Sequence, residues 1–279
     1  MRRIGDSSTL VAGAVILALM LGLPGQATPI PAGWTCLGNC GTLGPDGDVP
    51  APPGGNTYQF VSTSGGPSFS GLNLGFNETN GSLLTTNTFS ASGSSQLAFN
   101  FNFVTSDGAG SPDYAYARLL PSGGSPILLF TARTCQTTPC DTVPGVGMPP
   151  LGAGVTLVPP STPVTPHATE WDPLGASYDA CSAVGCGNSG WIQAAFTPAA
   201  GTYTLEFGVV NVNNTLFDTG LAIAGVETAG TPIGDLSSVP EPGRVVNTKL
   251  PCSNFTLSSI LTSPSPRHSC ACPGSNPTP

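Results

Sequence analysis

Leu97-Ala98-Phe99-Asn100-Phe101-Asn102-Phe103 places an apolar side chain at every second position, with Ala or Asn between. Successive side chains of an extended chain point to opposite faces, so this spacing predicts a strand with one face buried and the other polar. Outward from it, comparable runs occupy 58–61, 82–89, 114–120, 127–131, 191–197, 202–211 and 220–227. Each is bounded by Gly, Pro, Ser, Asn or Asp, the residues that terminate strands and build turns. About eight such strands, with no helical stripe in this region, predict an all-β protein: an antiparallel jelly-roll-like β-sandwich with long Pro/Gly-rich loops.

Gly (37) and Pro (30) are abundant among the 279 residues, near the level at which low-complexity disorder competes with folding. The clustering of apolar residues into regular runs favours folding, since such runs need a partner surface. Between Cys135 and Gly190 the alternation gives way to Pro-rich chain, including Val158-Pro159-Pro160-Ser161-Thr162-Pro163 and Thr165-Pro166-His167. Fixed φ angles and missing N–H groups make this a poor ladder. It is expected to be a long excursion over one end or edge of the sandwich, with no core of its own.

At the start of the chain, Arg2 and Arg3 precede an apolar run, 10–23, and the small-residue site Gly25-Gln26-Ala27. This order predicts a secretory signal peptide, residues 1–27, cut after Ala27, followed by an ectodomain over 28–236 and an atypical, disordered tail over 237–279. Taking Arg2, Arg3 and Asp6 from the seven basic and fifteen acidic residues leaves five and fourteen, a formal charge of −9. Arg118 and Arg133 are the only basic residues between Ala27 and Val239. Two cations cannot neutralise a run of phosphates, which argues against nucleic acid and anionic lipid as partners.

Six of the nine cysteines fall in the body as close pairs: Cys36 with Cys40, Cys135 with Cys140, Cys181 with Cys186. In an exported chain these six read as disulfide candidates that pin loops, with a zinc site as the rival and the connectivity open.

Catalytic signals are sparse. Beyond the N-terminal segment the histidines are His167 and His268, neither in a motif that pairs a base with Ser or Cys. A glycosidase needs two carboxylates across a cleft, and nothing in the spacing of Asp107, Asp113, Glu206 and Asp218 selects a pair. The chain is therefore expected not to be an enzyme. Loops at a sandwich end can gather oxygens around calcium, and Asp107, Asp113, Asn213 and Asp218 are the expected ligands if the two loops carrying them meet. Aromatic side chains on loops can stack on sugar rings; Trp171, Tyr114 and Tyr178 are the candidates, Trp171 foremost because Glu170-Trp171-Asp172-Pro173 has no strand pattern to bury it. Trp191 and Tyr116 are expected in the core.

Ser238-Val239-Pro240-Glu241-Pro242-Gly243 resembles the start of the PEP-CTERM sorting signal of exported bacterial proteins. Ile30-Pro31-Ala32-Gly33-Trp34-Thr35-Cys36, the segment 103–108, the segment 199–208 and Asp218-Thr219-Gly220-Leu221-Ala222 look like the β-sandwich ectodomain that several such proteins carry. The resemblance implies secretion by a Gram-negative bacterium, recognition of Val239, Pro240, Glu241 and Pro242 by an exosortase, and a place at the cell surface or in the extracellular matrix. It also implies association with exopolysaccharide or biofilm, and brings no catalytic residues. The family's motif is followed by an apolar span and a basic cluster. Here the segment 244–279 carries neither, and its composition changes abruptly after Gly243. A frameshift at that residue is the expected cause, leaving the mature chain without a stable membrane span.

Overall fold

The computed structural model describes residues 29–137, 141–160 and 164–234. The alternation that begins at Leu97 becomes β6 (Leu97–Thr105), flanked by antiparallel β12 (Ile192–Phe196) and β14 (Thr219–Thr228). Beyond β14 lie β3 (Tyr58–Ser62) and β2 (Asn39–Leu43). Shorter pieces complete this nine-stranded sheet: β9 (Thr156–Val158) beside β12, β11 (Gly187–Asn188) paired with the Val104–Thr105 end of β6, β10 (Thr165–Pro166) beside β11, and β15 (Thr231–Pro232) on β14. The second sheet has six strands in the order β1 (Thr35–Leu37), β4 (Glu78–Thr85), β13 (Ala200–Val212), β7 (Tyr114–Pro121), β8 (Ile127–Arg133), with β5 (Phe89–Ser92) also on β13. Every pairing is antiparallel, and the molecule is the all-β, jelly-roll-like sandwich expected.

All eight expected runs are strands. The run 82–89 is divided between β4 and β5 because Thr86 turns its hydroxyl to the Leu205 amide, 3.0 Å away, and interrupts the ladder. Between the sheets the apolar positions interdigitate. Phe101 of β6 stacks on Phe130 of β8 at 4.0 Å, and Phe99 meets Phe207 of β13 edge-on at 5.1 Å. Offset and edge-on aromatic pairs of this kind contribute about 0.5–1.5 kcal/mol each beyond the area they bury.

The corner where the chain passes from one sheet to the other is held by a disulfide, Cys36–Cys40, which joins β1 to β2 with 6.0 Å between Cα atoms. A second bridge, Cys181–Cys186, closes a loop of the excursion. Cys135 is disulfide-bonded as well, while Cys140 lies outside the described residues. At one end of the body, the Trp34 indole donates to the Ile233 carbonyl at 3.1 Å, tying its first and last described segments together.

The Pro-rich excursion differs from expectation. It carries ladder strands of its own, β9, β10 and β11, and two 3-10 turns, Asp172–Ser177, that meet at Gly175. It also encloses a small core. Trp171 and Leu174 are buried with Tyr58, Phe60, Val104 and Ala222, so the excursion covers the outer face of the nine-stranded sheet. Trp171 is fully buried, with Nε1 donating to the Tyr58 hydroxyl at 2.9 Å and its ring edge-on to Phe60 at 6.1 Å. Gly220 makes this fit possible, since a Cβ there would lie 2.4 Å from the indole. The expectation of an exposed Trp171 is corrected on this ground: polar neighbours in sequence do not keep an indole in water when distant strands offer it a pocket.

Candidate functional site at the polar end of the sandwich

Toward one end of the strands the inward positions change chemistry while the alternation continues. One step beyond Val61 stands Thr63, beyond Phe103 stands Thr105, before Leu221 stands Thr219, before Ala115 stands Asp113, and after Ala132 stands Thr134. All five are buried. The layer between the sheets is thus apolar in its middle and hydroxyl- and carboxyl-lined at this end.

Hydrogen bonds link these groups across the sheets. Thr219 of β14 donates to Asp113 Oδ2 at 2.8 Å, and the Val212 amide of β13 donates to Asp113 Oδ1 at 2.8 Å. Thr219 Oγ1 lies 2.7 Å from Thr105 Oγ1, which lies 3.3 Å from Thr134 Oγ1. Asp218 accepts from Thr63 at 2.9 Å and from Ser177 of the excursion at 3.1 Å. Asp107 accepts from the Gly108 amide at 2.7 Å and from Ser182, inside the Cys181–Cys186 loop, at 2.8 Å. Next to Asp113 on the inward face of the six-stranded sheet is Asn211, fully buried, whose amide N and O have no hydrogen-bond partner.

Three of the four expected calcium ligands, Asp107, Asp113 and Asp218, do converge. Asn213 does not join them: it sits exposed in a left-handed turn, its amide donating to the Asn77 carbonyl at 2.7 Å. The carboxylates themselves face hydroxyl and amide donors rather than an open oxygen-lined cage, and a hard cation requires oxygens with free lone pairs. Among the described residues no group of three or more His, Cys, Asp or Glu side chains is arranged to hold a metal ion. Burial, above all, pushes Asp113 well above the ordinary aspartate range, reinforced by the charges of Asp107 and Asp218 against the pull of Val212 and Thr219. Asp107 is raised for the same first reason, with Ser182 and Gly108 opposing.

The remaining candidates lie elsewhere. Glu206 is on the outer face of the six-stranded sheet, paired with Arg118 and accepting from Tyr116 at 3.2 Å, so it faces none of the three interior acids. Tyr114, expected to meet a ligand, is fully buried on that outer face; its hydroxyl bonds Glu78 and accepts from the Leu72 amide at 3.1 Å. Period-two alternation puts Tyr114 opposite the inter-sheet core, and the loop carrying Phe69, Leu72, Leu74 and Phe76 closes over it. Of the three aromatic candidates Tyr178 alone is on the surface, 44% exposed. Trp191 is half-buried against Tyr58.

An acidic rim not anticipated from sequence flanks Tyr178. The turn Asp46-Gly47-Asp48 grips the excursion: Asp46 accepts from the Asp172 amide at 2.9 Å, Asp48 from the Glu170 amide at 2.7 Å. Asp48 also supplies His167 with the carboxylate partner that its sequence neighbourhood lacks, Nε2 to Oδ1 at 2.7 Å. The signal present in sequence was the pair of acids around Gly47, a turn pattern with nothing to say which distant segment it would hold.

Comparison with protein-family models, with curated proteins and with solved structures gives no match for this chain. The sorting motif Val239-Pro240-Glu241-Pro242, the signal segment 1–27 and the tail 237–279 lie outside the described residues.

Proposed function

We propose that this chain is an exported, non-catalytic protein of the bacterial cell surface or extracellular matrix, directed there by its N-terminal segment and by a Val239-Pro240-Glu241-Pro242 sorting motif read by an exosortase. The observation that carries the reading is the pairing of cysteines: Cys36–Cys40 and Cys181–Cys186 are bridged, and Cys135 is bonded too. Disulfides of this kind persist in oxidising compartments and are rare in the cytosol.

The test is mapping of the protein from its own cells. Alkylation without reduction should leave the bridged body cysteines unlabelled, and the N-terminus should be Thr28, in the surface or medium fraction. Free thiols on an intact chain beginning at Met1 in the cytoplasm would overturn the proposal. Binding of extracellular polysaccharide is the second reading, favoured by the exposed ring of Tyr178; glycan-array binding abolished by Tyr178→Ala would promote it.

A further inference from the structure

We propose that the outer face of the nine-stranded sheet, where the excursion leaves it open beside Trp191, is a docking site for an extended chain of uncharged sugars. Register sets Val158, Gln193, Asn100 and Ala224 in one row across β9, β12, β6 and β14. The next row is Thr156, Ala195, Ala98 and Glu227. Phe99 and Phe101 of β6 point between the sheets, so alternation turns both rows outward. Trp171 and Leu174 of the excursion cover Tyr58, Phe60 and Val104 on this face, but Val158, Gln193 and Gly225 are exposed and Asn100 is half-buried.

An indole and three carboxamides meet there. Continuing the register from Ile192 opposite Phe101 sets Trp191 opposite Asn102. Trp191 is half-buried and fixed from two sides, its Nε1 donating to the Pro50 carbonyl at 3.0 Å and its ring edge-on to Tyr58 at 5.8 Å. Asn102 is fully buried; its Oδ1 accepts from Ser189 at 3.3 Å, and its Nδ2 has no hydrogen-bond partner. Among the described residues no hydrogen bond ties down the side-chain amide of Asn100 or of Gln193. The floor around them is low, made by Ala98, Ala195, Ala224 and Gly225. At Gly225, in the β14 bulge with φ +62°, a Cβ would lie 3.4 Å from Asn100 Nδ2. A carboxamide both donates and accepts, as sugar hydroxyls do, and an indole presents a large apolar face on which a sugar ring can stack.

Charge selects the kind of polymer. The row through Asn100 has no charged side chain, and the next carries one carboxylate, Glu227. Arg118 and Arg133 are on β7 and β8 of the other sheet. A polyanion would approach an acidic body with no arginine on this face, and like charges brought together oppose docking. Neutral sugars meet no such barrier. Four strands at the usual spacing span about 14 Å, which suits several linked sugars better than one. The inference rests on the polysaccharide reading for its partner and moves the contact away from Tyr178.

The experiment is native affinity electrophoresis of the full chain through gels holding mixed-linkage β-glucan, galactomannan, xylan or dextran, with polygalacturonate as the anionic control. Retention by at least one neutral polymer and none by polygalacturonate is expected. Asn100→Ala and Gln193→Ala should each weaken that retention by about tenfold, Trp191→Ala should abolish it, and Tyr178→Ala should leave it unchanged. The retaining polymer should also shield tryptophan fluorescence from acrylamide, because Trp34 and Trp171 are already buried and Trp191 is the indole it would cover. If Trp191→Ala does not fold, Asn100→Ala and Gln193→Ala decide. Retention that survives both of these and is lost in Tyr178→Ala would overturn this site and leave the polysaccharide reading standing. Retention by polygalacturonate alone would overturn the choice of neutral sugars, and no retention by any polymer would overturn the site and the reading together. A dimer in solution that Gln193→Ala dissociates would put a second copy of the chain on this face and overturn the proposal as well.

Discussion

Phe101 and Thr105 stand on the same inward face of β6, two alternations apart, and their surroundings obey different rules. Around Phe101 the layer between the sheets is apolar, stacked on Phe130 and close to Phe99. Around Thr105 it is a chain of hydroxyls ending on Asp113. Both parts are buried, and both fill the positions that period-two alternation assigns to the interior. The apolar part gains stability from area and close contact, at any pH. The polar part gains it from directional bonds around a carboxyl group whose ionisation is opposed by burial. Burial is therefore one property and pH-independence another, and this sandwich separates them along a single strand.

The largest effect expected is in the apolar half. Phe101→Ala removes a ring from the stack and leaves a cavity between the sheets, so unfolding in urea should show a loss of about 3–5 kcal/mol. The loss should be the same at acidic and neutral pH. A strongly pH-dependent loss would mean that the middle of the layer is coupled to the acids and that the contrast is false.

A smaller effect is expected from making the polar half resemble the apolar one. Thr219→Val keeps the shape of the side chain and deletes the donor to Asp113 Oδ2. Leaving a buried acceptor without its donor costs about 1–3 kcal/mol. The sign of the pH dependence follows from linkage. Asp113 binds its proton more tightly in the folded state than in the unfolded chain, where the ordinary value is 3.8. Stability is therefore highest below that value and declines as pH rises toward the folded-state value. Removing a hydroxyl that favours the ionised form raises the folded-state value further. The variant should lose more at neutral pH than at acidic pH, measured as urea midpoints across a pH series. Equal losses at both ends would show that Asp113 does not titrate in the folded range.

The two halves were also unequally legible. Phe99, Phe101 and Phe103 declare their strand by local spacing alone, and the eight runs found in this way become nine of the fifteen strands, while the short β1, β2, β9, β10, β11 and β15 carry no such pattern. The meeting of Asp107, Asp113 and Asp218 was anticipated from loop positions, but its chemistry was not. Extending the inward parity from Phe103 to Thr105 and from Leu221 to Thr219 would have placed hydroxyls beside those acids, and a donor such as Thr219 occupies a carboxylate lone pair that calcium would need. Trp171 was illegible for a different reason. Its burial is decided by Tyr58, Phe60 and the missing side chain of Gly220, all remote in sequence. The local window Glu170-Trp171-Asp172-Pro173 contains none of that information. The hold of Asp46 and Asp48 on the excursion is remote in the same way.

The smallest effect sharpens the contrast from outside the core. His167 and Asp48 form an ion pair that solvent reaches. Burial alone would push the histidine down, yet the Asp48 carboxylate, the Thr165 carbonyl and the charge of Glu170 together leave it above its ordinary value of 6.5. A raised histidine contributes stability that is complete below 6.5 and is lost as pH rises through the folded-state value. The direction is the same as for Asp113, but the window begins higher. Exposed pairs of this kind are worth about 0.2–1 kcal/mol and weaken with salt. His167→Gln should accordingly remove only a shallow step above 6.5, and about 1 M salt should remove the same step in the wild-type protein. The decline assigned to Asp113 should survive both treatments. If His167→Gln instead flattened the whole profile, the proton that governs this fold would sit on the rim, and the polar end of the layer would be no more sensitive to pH than its apolar middle.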